Sequence, residues 1–310
     1  MIPASSILLL TTLTGFGFGL LAWLGLLAAV GGLPESRLFT PLAILVALAF
    51  AGAGLAASML HLGRPERAWR AFSQWRSSWL SREGIAAVAT WPVALAFAAA
   101  WWWLGPDAAA TRLLGLAAAM IGLLAVGFTA MIYASLTPIR QWNNRHTAPD
   151  LVLYAIFSGA VLLAALWSLW FGAAPAVAAA ALAAAIVAAV AKLAYWRFID
   201  RQAPLTTLAS ATGLASLGTV RPLDQPHFTE NYVLREMGFQ IARKHARKLR
   251  GIALVLAFAV PALLALLAAL GALPVLTAPL AALSALVGLL VERWLFFAEA
   301  THVSAIYYGR

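Results

Sequence analysis

The 310-residue chain has no cysteine and few charged residues. Without cysteine, the chain itself cannot carry disulfides, thiolate-held iron–sulfur clusters, c-type haem attachment or cysteine-based zinc sites. Charged residues make up only 10% of the sequence, whereas 63% of the residues are hydrophobic. A soluble domain of this length could not bury so much apolar surface, so the composition predicts an integral membrane protein.

Eight apolar runs are each long enough to cross a bilayer as a helix, which takes about 20 residues. We predict spans near 7–30, 38–61, 84–104, 112–135, 150–171, 175–198, 251–271 and 277–299. The runs are continuous and lack the alternation of barrel strands. The first run has neither the basic flank nor the cleavage site of a signal peptide, so we keep it as a span. The predicted fold class is an all-α, eight-transmembrane-helix bundle that forms a single membrane domain over residues 1–310.

Lys and Arg residues are concentrated on one side of the predicted bundle. An even number of spans places both termini on the same side as the loops 62–83, 136–149 and 199–250, which carry most of the basic residues. The segments on the opposite side carry only Arg37 and Arg112. The positive-inside rule therefore predicts that the basic face and both termini are cytoplasmic. Tryptophans at the far ends of helices 3 and 5 are predicted to form an interfacial aromatic belt: Trp101, Trp102, Trp103, Trp167 and Trp170.

The longest connection is a basic insert at about 199–250, between helices 6 and 7. Its first part, with Gly213 and Gly218, is typical of an irregular loop. From Thr229, a residue type that favours the N-cap position, to Arg250 the pattern predicts an amphipathic helix that continues into span 7. Two interpretations stay open. The insert is either a collar that holds anionic lipid headgroups or a docking surface for a soluble partner.

Polar residues in or near the spans are costly to bury and direct the search for function. His61 stands at the end of helix 2, and Glu83 opens helix 3 after a loop that returns the chain to the same depth. These two groups could exchange the protons of two-electron quinone chemistry, since an ordinary histidine pKa of about 6.5 suits proton exchange near neutrality. The alternative is structural. Glu83 then complements the helix dipole in a first turn capped by Ser81, and His61 only reaches toward the interface.

Helix 8 carries a second polar set, Glu292, Arg293, Glu299 and His302. Lys192 on helix 6 lies at a depth comparable with that of Glu292, so one interpretation is a structural ion pair between them, or Glu292 offset by Arg293. The other interpretation is a proton path or a wall of a quinone pocket. All five histidines fall on the basic side, with no pair facing across the mid-membrane. This placement argues against a path of electron transfer through two haems, and a single haem b is not favoured.

The segment ASMLHLGRPERAWRAFSQWRSSWLSREG resembles the signature of the dimethyl sulfoxide reductase anchor subunit family, in which a similar ASMLHLG precedes a Ser-x-Glu at the start of the next helix. The resemblance extends to the eight-span architecture, the N-terminal TGFGFGL and the helix 8 segment ERWLFFAEATH. Within the family, the insert NYVLREMGFQIARKHARKLR and the segments PIRQWNN and ERWLFFAEATH look more like the anchor of cytoplasmic sulfite dehydrogenases than like the dimethyl sulfoxide reductase anchor.

The resemblance implies a bacterial inner-membrane anchor without metal centres of its own. Such an anchor binds a ferredoxin-like iron–sulfur subunit, which in turn binds a molybdopterin catalytic subunit, and it provides the site for ubiquinone or menaquinone. The family's quinone-site histidine matches His61, and its functional acidic residue matches Glu83. Arg64, Glu299 and His302 are further candidate quinone-binding residues. Membrane lipids are expected as partners, and nucleic acid is not.

The implied function is the transfer of electrons between the iron–sulfur subunit and the quinone pool, in sulfite oxidation. One alternative is the anchor of a quinol-oxidising complex of the dimethyl sulfoxide reductase type. Another is a secondary transporter in which Lys192, Glu292 and Glu299 handle ions, which predicts broken helices or repeat symmetry. A purely structural tether, with quinone bound elsewhere, is a further contender.

Overall fold

The computed structural model describes residues 4–60, 62–224 and 241–308. Within them, eight helices are long and apolar enough to span a membrane, which confirms the predicted all-α, eight-span fold. These helices are α1 (Ser5–Val30), α2 (Phe39–Met59), α3 (Trp79–Leu104), α4 (Ala109–Ala134), α5 (Thr147–Phe171), α6 (Pro175–Asp200), α7 (His245–Ala269) and α8 (Pro274–Ala298). His61 and Thr229 lie outside the described residues, so the predictions made for them stay predictions.

Helix α1 is the hub of the first half of the bundle and, with α5, one of the two most buried spans. It packs against α2, α4 and α5, while α3 packs mainly against α4. Gly17, Gly19 and Gly25 of α1 let the backbones of α2, α5 and α4, respectively, approach so closely that a Cβ would collide with them. Small residues at helix contacts are the usual means of close packing in membranes. The glycine-rich TGFGFGL run therefore serves packing.

The second half of the bundle contains α5 to α8, with α6 packed on α7 and α8 packed on both α5 and α7. The chain is already helical at Ile241, so the described part of the basic segment continues into α7 as predicted. Within α7, the stretch Val255–Ala259 widens into a π-turn just before Pro261, which has no N–H to donate. Ser284 of α8 donates to the carbonyl oxygen of Leu256 at 2.8 Å and supports this turn.

Short helices interrupt two segments predicted as loops. A 3₁₀ helix, Pro65–Gln74, lies between α2 and α3. In the insert, a helix of five residues, Leu208–Thr212, begins with a capping box between Thr207 and Ser210. It ends at Gly213, whose φ of 71° is the left-handed conformation that glycine favours. The irregular-loop prediction for this part was therefore wrong over a few residues.

The tryptophan run at the end of α3 does not lie wholly in the interfacial belt. Trp103 is 75% exposed and Trp102 is 37% exposed, but Trp101 is only 3% exposed and packs in the core. Successive residues of a helix point about 100° apart, since a turn holds 3.6 residues, so three in a row cannot all face the lipid. The belt prediction was wrong for Trp101.

The described parts of the loops that join α2 to α3, α4 to α5 and α6 to α7 lie at one end of the bundle, together with the end of α8. This end is called the basic end below, and the other is called the opposite end.

Candidate functional site

Glu83 is the fifth residue of α3 and lies about 6 Å inside the helix from the basic end, at 1.5 Å per residue. Its side chain is buried and faces α4, where the Thr129 hydroxyl donates a hydrogen bond of 2.6 Å to Glu83 Oε1. The cap of α3 is Ser78, whose side chain accepts from the Ser81 N–H, and the Ser81 hydroxyl donates to the carbonyl oxygen of Ala71. The interpretation of Glu83 as a first-turn residue capped by Ser81 was therefore wrong.

The segment before α3 folds back over the start of that helix. Arg82 donates from Nε to the carbonyl oxygen of Trp75 at 2.8 Å and from Nη2 to that of Arg76 at 2.6 Å. Its guanidinium also lies 4.2 Å from the ring centroid of Trp79. These contacts fix the loop against the start of α3, where Glu83 is only 7% exposed.

A small polar cavity of about 20 Å³ lies next to Thr129, between α1, α4, α5 and α8. A cavity of this size can hold about one water molecule when enough polar groups line it. The polar residues of its lining are Thr11, Thr12, Thr14, Thr129, Tyr154, Ser158 and Arg293. Thr129 thus stands between the cavity and Glu83.

An ionic cluster lies toward the same end in the second half of the bundle, somewhat deeper than Glu83. Glu292 of α8 accepts from Lys192 of α6 through Oε1 and from Arg293 through Oε2, the latter at 2.5 Å from Arg293 Nε. All three side chains are buried, and Lys192 Nζ also lies 4.4 Å from the ring centroid of Tyr195. The structure thus contains both ion pairs that were considered for Glu292. Breaking such a buried cluster is costly, because it leaves an uncompensated charge.

Asp150 and Tyr154 of α5 lie against this cluster, and neither was predicted as a site residue from the sequence. Both residues are 5% exposed. They share a close-packed wall with Lys192 and Arg293, and the Arg293 guanidinium lies 5.1 Å from the centroid of the Tyr154 ring. Asp150 could have been predicted as a site residue from the sequence, because a carboxyl group at the start of a predicted span is unusual. Tyr154 carried no such signal.

The loop between α4 and α5 closes the basic end through its contacts with α8. Trp142 Nε1 donates to the carbonyl oxygen of Phe296 at 2.9 Å, and the two rings stack 5.6 Å apart. Tyr195 donates to the carbonyl oxygen of Gln141 at 3.0 Å. The PIRQWNN and ERWLFFAEATH segments are therefore parts of one structural unit.

The remaining candidate site residues lie in separate surroundings. Glu299 accepts from Arg250 Nε at 2.7 Å, and Arg250 also pairs with Asp200. His302 hydrogen-bonds through Nδ1 with Ser304 at 2.8 Å and lines a surface cavity of about 290 Å³ together with residues around Arg140. Arg64 is exposed at the start of the Pro65–Gln74 helix.

The described histidines and carboxylates do not gather into a metal site. Within residues 4–60, 62–224 and 241–308, no group of three or more His, Asp or Glu side chains is arranged to hold a metal ion. His146, just outside α5, instead packs against the ring of Phe198 at 5.0 Å. Partial burial, with a smaller contribution from the neighbouring Arg145 charge, lowers the pKa of His146 below its ordinary value.

The fold and these polar groups define a multi-pass helical membrane protein whose buried ionisable residues gather toward one end. The model of the DMSO reductase anchor subunit family (DmsC) matches residues 2–299. The chain is also 36% identical, over 325 aligned positions, to a subunit of the sulfite dehydrogenase of Allochromatium vinosum, with 99% of each chain covered. The chain belongs to the DMSO reductase anchor subunit family, as the resemblance in its sequence predicted, and it is a membrane anchor subunit.

Proposed function

We propose that this chain is the quinone-reactive membrane anchor of a three-subunit molybdopterin oxidoreductase. Electrons pass between a ferredoxin-like iron–sulfur subunit and the quinone pool. The observation that carries the proposal is a buried carboxyl group, Glu83, held by Thr129 near the basic end of a family anchor. Sulfite is the proposed electron source, since the relative that matches the whole chain is named a sulfite dehydrogenase subunit.

The basic end is the proposed docking face for the iron–sulfur subunit. Its exposed cations come from three loops and the first turn of α7: Arg64, Arg67, Arg70, Arg76, Arg145, Arg201, Arg221, Arg247 and Lys248. Such a surface attracts an acidic partner and steers its approach. We propose that this face is cytoplasmic and that the chain lies in a bacterial inner membrane, because the positive-inside rule favours that orientation.

In the proposed reaction, quinone accepts two electrons from the iron–sulfur partner and two protons from the basic side, and becomes quinol. His61 hydrogen-bonds one quinone carbonyl, and Glu83 delivers a proton. A buried carboxyl group suits this task because it can hold a proton beside the quinone while bulk water is excluded. Arg64, Glu299 and His302 complete the candidate quinone-binding set. Of these three, Arg64 is the strongest candidate, since it is exposed and lies three residues after His61 in the sequence.

The test uses the assembled complex of all three subunits and two variants, His61→Ala and Glu83→Gln. We expect quinone-coupled sulfite oxidation to fall about 100-fold or more, the range over which general acid–base groups contribute. Sulfite oxidation with an artificial dye, which bypasses the anchor, should keep its wild-type rate. Glu35→Gln is the matched control, since Glu35 is an exposed carboxylate at the opposite end.

Equal loss of quinone-coupled and dye-coupled activity in both variants would contradict the proposed site, because the change would then act through assembly. Wild-type quinone turnover in both variants would contradict it as well, and would leave the chain a tether with quinone bound elsewhere.

A further inference from the structure

Helix α5 and the residue that precedes it present ionisable side chains one turn apart, in a row that runs from the basic end into the bundle. His146, Asp150 and Tyr154 are spaced by four residues, so they lie along the same face of the helix. His146 is half-buried at the surface, whereas Asp150 and Tyr154 are buried. The proposed quinone site uses none of these three residues.

The buried part of this row has polar atoms that lack hydrogen bonds. Asp150 and Tyr154 line the same close-packed wall, and neither Asp150 Oδ2 nor Tyr154 Oη has a hydrogen-bond partner within the described residues. Tyr154 also lines the cavity of about 20 Å³, as do Thr129 and Thr12, and the hydroxyl of Thr12 has no hydrogen-bond partner in the described part of the chain. Leaving such groups unsatisfied costs free energy, and one water molecule in the cavity would give the Thr12 and Tyr154 hydroxyls a partner.

The charges around Asp150 allow it to change its protonation state. Lys192 and Arg293 are cations, and Glu292 lies between them as the carboxylate that both contact. The three together carry one positive charge when ionised, so an ionised Asp150 makes the group neutral. Tyr195 is the other titratable side chain of this wall. Buried charges persist where they are compensated in this way.

We propose that Asp150, Tyr154, a water molecule in the cavity and Thr129 form a proton-transfer route from the basic end to Glu83. This inference rests on the proposed function, because quinone reduction consumes the proton. Solvent at the basic end protonates Asp150. Asp150 gives its proton to the Tyr154 oxygen as the Tyr154 hydroxyl proton moves to the water.

The water then gives a proton to Thr129 Oγ1, whose own proton moves to Glu83 Oε1 along the existing hydrogen bond of 2.6 Å. One proton has moved from solvent to Glu83, and every intermediate group has returned to its starting state. The two electrons of the reaction come from the iron–sulfur partner. Arg293 carries no proton in this route, since a guanidinium does not release one at accessible pH; it lines the cavity and holds Glu292.

The test uses Tyr154→Phe and Asp150→Asn in the assembled complex. We expect each variant to lower quinone-coupled turnover about tenfold or more, since each removes a proton donor from the route. The solvent deuterium isotope effect on that turnover should rise above the wild-type value, and dye-coupled activity should not change. Tyr195→Phe is the matched control, because Tyr195 is equally buried but its hydroxyl donates to the Gln141 carbonyl and does not line the cavity.

Asp150→Glu keeps a carboxyl group and should recover most of the turnover lost in Asp150→Asn. If Asp150→Asn fails to assemble, Tyr154→Phe decides the matter, since it removes a single oxygen. Suppose that Tyr154→Phe keeps the wild-type turnover and isotope effect while Glu83→Gln is inactive. This outcome would overturn the proton-transfer route, but it would not contradict the proposed quinone site. Equal effects of Tyr154→Phe and Tyr195→Phe would also overturn it. Wild-type turnover in Glu83→Gln would instead overturn the proposed function.

Discussion

The two ends of the bundle place their charges in different ways. At the opposite end, Arg112 pairs with Asp107 at 2.8 Å on the surface, and Arg37 donates to the carbonyl oxygen of Trp102 at 3.1 Å. At the basic end, charged groups reach one to two turns into the helices, and Lys192 and Glu292 are almost completely buried. The first arrangement costs little to build in contact with water, whereas the second carries a large desolvation penalty.

This difference shows where the molecule carries charges that lower its stability and that packing does not require. Charges inside a membrane are rare and usually serve a pathway or a site. The opposite end is aromatic and apolar, as an interfacial anchor requires. The basic end combines a buried carboxyl, a polar cavity and an ionic cluster, and we expect substitutions there to have the larger effects.

The largest effect is expected from Glu292→Leu. The substitution leaves Lys192 and Arg293 buried without their shared carboxylate, and removal of one member of a buried ion pair costs about 3–5 kcal/mol. Thermal and denaturant unfolding of the detergent-purified protein would measure the change. Lys192→Met should cost less, because Glu292 keeps Arg293 as a partner. A Glu292→Leu variant as stable as the wild type would show that the cluster is dispensable.

The second largest loss of stability is expected when Thr129, the partner of the buried Glu83 carboxyl, is replaced. Thr129→Val keeps the shape of the side chain and removes the hydroxyl that donates to Glu83. We expect a loss of about 1–3 kcal/mol in the free energy of unfolding, the cost of leaving a buried polar group without its partner. Thr129→Ser keeps the hydroxyl and should lose less. The same unfolding assay checks both variants, and equal losses would mean that methyl packing dominates at this position.

Much of the fold could be predicted from the sequence, because long apolar runs have one stable form in a bilayer, the helix. The spacing of polar residues along such helices also predicts depth, since the rise per residue is constant. Depths calculated in this way are comparable for Lys192 and Glu292, and the ion pair between them is present in the structure. The start of α3 was predicted five residues late, because Ser78 caps the helix outside the apolar run.

The lateral contacts could not be predicted in the same way. A lone threonine on an apolar helix has no pattern that identifies it, so Thr129 was not foreseen as the partner of Glu83. Tyr154 was missed for the same reason. The contact between Trp142 and Phe296 joins segments more than 150 residues apart, and only the three-dimensional packing of the helices brings them together. The pairing of His61 with Glu83 stays a prediction.

A smaller effect is expected where the α4–α5 loop closes the basic end. Trp142→Phe keeps an aromatic ring beside Phe296 and removes the hydrogen bond of 2.9 Å to its carbonyl oxygen. We expect a loss of about 0.5–1.5 kcal/mol and faster amide hydrogen exchange in the loop. Trp103→Phe is the control at the opposite end, where the side chain is 75% exposed. If both variants exchanged equally fast in the loop, the closing role of Trp142 would be refuted.

The smallest effect is expected at the opposite end, from Asp107→Ala. The Asp107 side chain is 91% exposed and that of Arg112 is 41% exposed, so water already solvates both charges. Exposed ion pairs contribute about 0–1 kcal/mol, because the Coulomb attraction is screened and ordering two side chains costs entropy. The unfolding temperature of Asp107→Ala should therefore stay close to that of the wild type, at low and at high salt. A loss as large as that of Glu292→Leu would remove the contrast between the two ends, because burial would then no longer decide what a charge contributes.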